Sequence, residues 1–345
     1  MAALPLVGRE AAWQQPAVAD NDPPVMVNVR FARATWGLVA FLLAVVLWGA
    51  FVRATGSGAG CGAHWPVCNG EVLPRAPALE TIIEFSHRLS SGLVTLAVLG
   101  WAVWAFVAFP RRHRVRRGAA LGVLAILVEG AIGAALVLFR LTGENDSLAR
   151  AAVMGMHLVN TFFLLAVVTL TGAWAAGVSR LRLRDQGAVA VLIPAALLGL
   201  VVLGVSGAVA ALGDTLFPAR SLAEGFRQDI SAGAHVLLRL RVLHPLLAVA
   251  VGTLLLVTGA VSSLLRPGRQ VRRAAFALAL LVVLQLTAGL VNLALLAPVW
   301  MQLLHLLLAD AVWLAAVLLG ASALAEDAPR LAVPGLAAPG SASAR

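Results

Sequence analysis

Four histidines, His87, His157, His244 and His305, each lie near the start of a long apolar run. They form two pairs, 70 residues apart in the first and 61 in the second. An imidazole inside an apolar helical bundle is costly to bury unless something binds it. Iron held between two imidazoles is the chemistry this spacing offers, and haem is the form in which two protein ligands suffice. Zinc asks for four ligands converging on one point, and no cysteine or second histidine neighbours these positions.

Other reactive residues gather around the first pair. Glu84 precedes His87 by three positions, so the two share one helical face and the acid is placed for proton exchange beside the ligand. An ion pair with Arg88, four residues on, is the structural alternative for that carboxylate. Glu129 reads either as a second proton carrier or as a helix–helix hydrogen bonder. Arg53, Arg88, Arg239 and Arg241 fall near one boundary of the apolar runs, where bidentate pairing with porphyrin carboxylates or simple snorkelling both suit them. His64, His113 and His235 read as solvated or interfacial.

The elements that position these groups are membrane spans. Hydrophobic residues make up 61% of 345 positions and charged residues 12%, about half the charged share of a soluble domain. Mean hydropathy is +0.92. Eight stretches, roughly 35–52, 81–109, 118–139, 151–178, 187–212, 232–265, 274–297 and 299–325, reach the ~20 apolar residues a span needs. The net charge of +10 comes from arginines gathered in the loops after spans 2, 4 and 6 (around 111–117, 180–184 and 266–273) and from Arg30 and Arg33. This pattern is the positive-inside signature of a membrane protein rather than a nucleic-acid footprint. It puts both termini in the cytoplasm and the loops after spans 1, 3, 5 and 7 outside. Cys61 and Cys68 share the first outer loop, in oxidising surroundings where a disulfide is the default, with redox exchange as the other option. Their spacing does not match Cys-x-x-Cys-His haem attachment. Residues 1–33 and 327–345 read as disordered cytoplasmic tails.

The histidine pairs also mark an internal repeat. His87 aligns with His244 at an offset of 157 and His157 with His305 at 148, the difference falling in a longer loop near Thr142–Arg150. Gly49 and Gly207 follow the same register, as do Glu129-Gly-Ala-Ile-Gly133 and Gln285-Leu-Thr-Ala-Gly289. Four spans per half is an even number, so the repeat is parallel. The expected fold is an all-α integral membrane protein, its eight helices forming two pseudo-symmetric four-helix bundles (34–180 and 181–326) with a metal site in each core. Arg241 stands where Glu84 stands in the first half. An acid beside one iron and a fixed cation beside the other points to chemistry in the first bundle and a resident cofactor in the second.

At these residues the chain resembles the haem A synthase family, in its cysteine-containing branch. The resemblance runs over about residues 35–325. It rests on Arg53-Ala-Thr-Gly-Ser-Gly, Cys-x-x-x-Trp-Pro-x-Cys-Asn-Gly from Cys61 to Gly70, Glu84-Phe-Ser-His-Arg88, Met156-His-Leu158, Leu243-His-Pro245 and Gln302-Leu-Leu-His-Leu306. It implies an oxidoreductase of the cell membrane that converts a methyl of haem O, by hydroxylation, to the formyl of haem A for terminal oxidases. Haem O would bind between His87 and His157 and haem B between His244 and His305, with Glu84 assisting at the methyl. The partners implied are a haem O synthase, the oxidase assembly system and an electron partner. Two competing readings are a dihaem b-type cytochrome exchanging electrons with quinol, and a parallel-repeat secondary transporter holding no haem.

Overall fold

The structure is a computed structural model, and it describes residues 26–328. The tails expected at 1–33 and 327–345 therefore lie mostly outside the described residues. The first of them is also shorter than the sequence suggests. Helix α1 begins at Val29, where Asn28 accepts a hydrogen bond from the Phe31 N–H and caps the free first-turn amides. Arg30 and Arg33 thus belong to a helix, not to a tail.

Eight helices are long and apolar enough to cross a membrane, and the chain is an all-helical multi-pass membrane protein. In chain order they are α1 (Val29–Ala54), α2 (Leu79–Ala108), α3 (Arg114–Leu138), α4 (Leu148–Ala175) and α5 (Ala188–Leu216). The short helices α6 (Leu222–Ile230) and α7 (Val236–Arg241) follow, then α8 (Leu243–Leu265), α9 (Arg269–Ala294) and α10 (Val299–Ala323). With no water in the hydrocarbon to bond exposed amides, helices that satisfy their own backbones are the solution such a sequence has.

Two departures from the expected spans have local causes. The sixth is built of α7 and α8, which meet at Val242. Pro245 lacks the N–H that would bond the Arg241 carbonyl, so the helical ladder is interrupted just before His244. Helix α6, expected as loop, is capped by the Ser221 hydroxyl, which accepts from the Glu224 N–H.

The neighbours of each helix define the architecture. Helix α1 packs on α2 and α4, and α3 bridges α2 to α4. Among the later helices, α8 packs on α5 and α9, and α10 packs on α9 and α5. Helices α4 and α10 lie at the centre, touching each other, with α5 against α4 and α1 against α10. There Phe162 stacks on Trp313 at 4.6 Å, and the Trp313 indole donates to the Phe162 carbonyl at 2.8 Å.

Ties between early and late helices close both ends of this seam. At one end the Arg53 guanidinium reaches from α1 to the Ala211 carbonyl (2.7 Å) and Thr215 hydroxyl (2.7 Å) of α5 and to the Gln302 amide oxygen (2.8 Å) of α10. At the other, Arg180 pairs with Glu326 at 2.5 Å and the Arg182 N–H donates to the Leu324 carbonyl, while Arg266 binds the later helices to one another by donating to Gln186 and to the Ala323 carbonyl.

Candidate functional site

The four histidines enter the bundle from the same end. His87, His157 and His305 lie eight, nine and six residues beyond the first residues of α2, α4 and α10, and His244 lies eight beyond the start of α7. At ~1.5 Å per residue these are depths of about 9–14 Å. His244 and His305 face each other with ring centroids 6.4 Å apart and planes at 88°. His87 and His157 lie on α2 and α4, which share α1 and α3 as neighbours. The structure therefore brings His244 and His305 face to face, as the spacing predicts.

Glycines on neighbouring helices make room for the rings. A Cβ at Gly49 of α1 would fall 2.9 Å from Cε1 and 3.0 Å from Nε2 of His87. At Gly207 of α5 it would fall 3.0 Å from Cε1 of His244, and at Gly289 of α9 3.1 Å from Cε1 of His305. The fourth register position, Gly133 of α3, has open space instead. His157 is held in another way, by Glu129 of α3, whose Oε1 lies 3.2 Å from Nδ1.

The Nδ1 atoms sort the four rings further. The Ser206 hydroxyl donates to the Leu203 carbonyl and its oxygen stands 3.0 Å from Nδ1 of His244, where it can accept from an Nδ1–H tautomer. His157 turns Nδ1 toward Glu129, although off the line of a regular hydrogen bond. In both rings Nε2 is then left to a ligand. Nδ1 of His87 and of His305 has no protein partner among the described residues, and Nε2 of His305 lies 3.4 Å from the Gln285 amide nitrogen.

This donor set fits haem. Metal–imidazole bonds of about 2.0–2.1 Å let one ion sit between rings at the His244–His305 spacing. Among the described residues no three His, Cys, Asp or Glu side chains converge on one point. A tetrahedral zinc site is therefore not built.

Glu84 is buried, with 4% exposure, and both its oxygens are engaged. Oε2 accepts the Cys61 backbone N–H at 2.8 Å, and Oε1 accepts from Arg88 at 3.1 Å (Nε) and 2.5 Å (Nη2). Arg88 also donates to the His64 (2.6 Å) and Val67 (2.7 Å) carbonyls. The structure thus forms the Glu84–Arg88 ion pair and places it under the loop between α1 and α2, which a Cys61–Cys68 disulfide closes. Gly60 packs so tightly there that a Cβ would meet the Glu80 carbonyl at 2.5 Å, and the Gly60 carbonyl accepts the Thr81 hydroxyl.

The other arginines are also bound to protein. Arg241 pairs with Asp214 at 2.8 Å and Asp229 at 2.5 Å, and Arg239 donates to the Ala232 carbonyl at 2.6 Å. Arg53 is the tie across the seam described above. Glu84 and Arg241 remain an acid and a cation at matching positions, but each carries its own counter-charge. The difference in field between the halves is smaller than lone charges would give. Of the remaining histidines, His64 is exposed, His113 caps α3 through its contact with the Val115 N–H, and His235 caps α7 by accepting from the Leu237 N–H.

Two groups escaped the sequence reading. Asn160 and Thr161 follow His157 at i+3 and i+4, a spacing that puts all three on one face and signals a shared partner on α3. Asp310 of α10 is 1% exposed, with neither carboxyl oxygen partnered among the described residues.

Comparison with known proteins adds to this geometry. The COX15-CtaA family, described as "Cytochrome oxidase assembly protein", matches residues 32–317. A Thermus thermophilus protein named "Protoheme IX farnesyltransferase" is 54% identical over 302 residues, covering 88% of this chain and 50% of the relative. "Heme A synthase" of Alkalihalophilus pseudofirmus is 41% identical over 131 residues, covering 38% of this chain and 41% of the relative. "Heme A synthase" of Geobacillus kaustophilus is 37% identical over 142 residues, 41% of each. The chain spans about half the length of the curated relatives it matches, or less.

Proposed function

The chain belongs to the COX15-CtaA family of cytochrome oxidase assembly proteins, and on that footing we propose that it is a haem A synthase, oxidising a methyl of haem O to the formyl of haem A. One observation carries the reading: two pairs of histidines at matching depth, three of them seated against glycines that leave room only for a ring. The names of the relatives in Alkalihalophilus pseudofirmus and Geobacillus kaustophilus support the same activity.

In this reading His87 and His157 hold the substrate haem between α2 and α4, and His244 and His305 hold a resident haem B between α8 and α10. The resident haem supplies electron transfer. Glu84, one turn before His87, takes up a proton released as the methyl is oxidised, and Arg88 fixes the position of its carboxylate. Arg53, Arg239 and Arg241 line the same end of the bundle. Their existing partners make them supports of the rim, with spare guanidinium N–H groups left for porphyrin carboxylates. The two-bundle division at about residue 180 is part of this proposal, and matching glycine–histidine contacts at Gly49–His87 and Gly207–His244 support it.

Arginine-rich loops after α2, α4 and α8 support an orientation in the cell membrane with those loops and both termini in the cytoplasm and the disulfide loop outside. A haem O-producing farnesyltransferase is the proposed neighbour. A relative named for farnesyl transfer to protohaem has this chain's likeness in half of its own length, which supports the two activities working side by side. The test is to incubate membranes containing the chain with haem O and extract the pigment. A formyl-bearing haem is expected, and its absence removes the proposal.

A further inference from the structure

The two histidine pairs are held by different chemistry, and the difference is concentrated at Glu129. This carboxylate sits within α3, 18% exposed, in a span where a charged group is costly without partners. Its partners come from a single face of α4. Oε2 accepts from the Asn160 amide at 2.5 Å, Oε1 accepts from the Thr161 hydroxyl, and the same Oε1 lies 3.2 Å from Nδ1 of His157. The second amide hydrogen of Asn160 goes to the Ala125 carbonyl, one turn back on α3, at 2.9 Å. The carboxylate is therefore fixed beside His157 by the Asn160 amide and the Thr161 hydroxyl.

The second half lacks this constellation. In the repeat register Glu129 becomes Gln285, and Asn160 and Thr161 become Leu308 and Ala309. There the ring with a well-placed Nδ1 acceptor is on the other helix, His244, and the acceptor is the neutral Ser206 hydroxyl. Ser206 in turn corresponds to Trp48, whose indole bonds Ser86 rather than a histidine. So in each half one ring has an acceptor close to Nδ1 and the other has none. Glu129 stands 3.2 Å from His157, short of hydrogen-bond alignment, and Ser206 3.0 Å from His244, while Nδ1 of His87 and of His305 is without a protein partner among the described residues.

We infer that Glu129 is the positioning residue of the first site: it holds His157 through Nδ1 and makes that imidazole the stronger, fixed axial donor of its pair, leaving His87 as the weaker one. A carboxylate behind a metal-bound imidazole fixes the ring and raises its basicity, and loss of such a partner costs about 10–100-fold in metal affinity. A hydroxyl acceptor does the first of these without the charge. The inference rests on the haem reading of the four histidines but not on which reaction the bound haem undergoes.

The experiment is a redox titration of the purified, haem-loaded protein, with haem content measured alongside. Glu129→Gln, which copies the second half, should move the midpoint of one haem signal upward and leave the other unchanged. A tenfold loss of preference for the ferric state corresponds to about 59 mV for one electron. Haem at that signal should also dissociate about 10–100-fold more readily. Ser206→Ala should affect the other signal alone. Thr161→Val and Asn160→Ala loosen the carboxylate without removing it. They should give smaller shifts in the same direction, which keeps the test open if Glu129→Gln folds poorly. Unchanged midpoints and haem content in Glu129→Gln and both supporting variants overturn the inference. Failure to make a formyl-bearing haem from haem O in the wild-type protein would instead remove the proposed reaction and leave this result standing.

Discussion

Replacing Gly49 with alanine isolates the role of the glycine seats. The added methyl would lie 2.9 Å from Cε1 and 3.0 Å from Nε2 of His87, closer than carbon contacts allow. Those atoms are the far end of a side chain, so the ring swings aside at little cost to the fold. An axial ligand does not have that freedom, because turning its ring removes the nitrogen from the iron. Overpacking of this kind costs typically 1–3 kcal/mol, and at about 1.4 kcal/mol per decade the first site should bind haem some 5–150-fold more weakly. Gly207→Ala, with its methyl 3.0 Å from His244 Cε1, should weaken the second site by a similar factor. Gly133→Ala is the control: nothing lies within 4 Å of its Cβ, and alanine gains up to ~1 kcal/mol of helix propensity over glycine. The assay is haem per protein by pigment extraction, with the Soret band recorded on the same sample. If Gly49→Ala and Gly207→Ala keep full haem content and unaltered spectra, or if Gly133→Ala loses haem, the seats are not what holds the rings.

Three further outcomes are expected. Glu84→Gln keeps the loop contact to Cys61 and retains haem but yields no formyl-bearing product on pigment extraction, and full turnover would assign the acid to the loop alone. His305→Ala loses the resident haem and leaves the first site filled, since the pairs lie on separate helices, and loss of both haems would show them to be one unit. Asp310→Leu removes two buried oxygens without partners and should raise stability by about 1–3 kcal/mol, read as a higher thermal midpoint in detergent, whereas a lower midpoint would reveal a hidden partner for the acid.

Much of this arrangement is legible in the sequence because spans and ligands are written locally. Apolar length sets the helices, and the repeat register pairs His87 with His157 and His244 with His305 before any coordinates are seen. The partners of the charged residues are not written locally. Arg53 meets Thr215 and Gln302, 162 and 249 positions away, and no pattern around Arg53 announces either. The Glu84–Arg88 pair is legible at i,i+4, but the amide of Cys61, which folds back onto Glu84 from a loop 23 residues upstream, is not. The joint at Val242 was readable from Pro245, but continuous hydropathy through 236–265 conceals it. Glu129 lies between these extremes: the sequence offers it as a helix–helix hydrogen bonder, while only packing of α3 on α4 shows that Asn160 and Thr161 bond its carboxylate beside His157.

The cross-links at both ends of the central seam bear on how a porphyrin gets in. Arg53 laces α1 to α5 and α10 at one rim, while Arg180, Arg182 and Arg266 stitch the opposite rim. These contacts hold α1 to α5 and α10 at one rim and join the segments after α4 and α10 at the other. In the proposed function a tetrapyrrole would then pass sideways from the lipid, between helices, rather than through either rim.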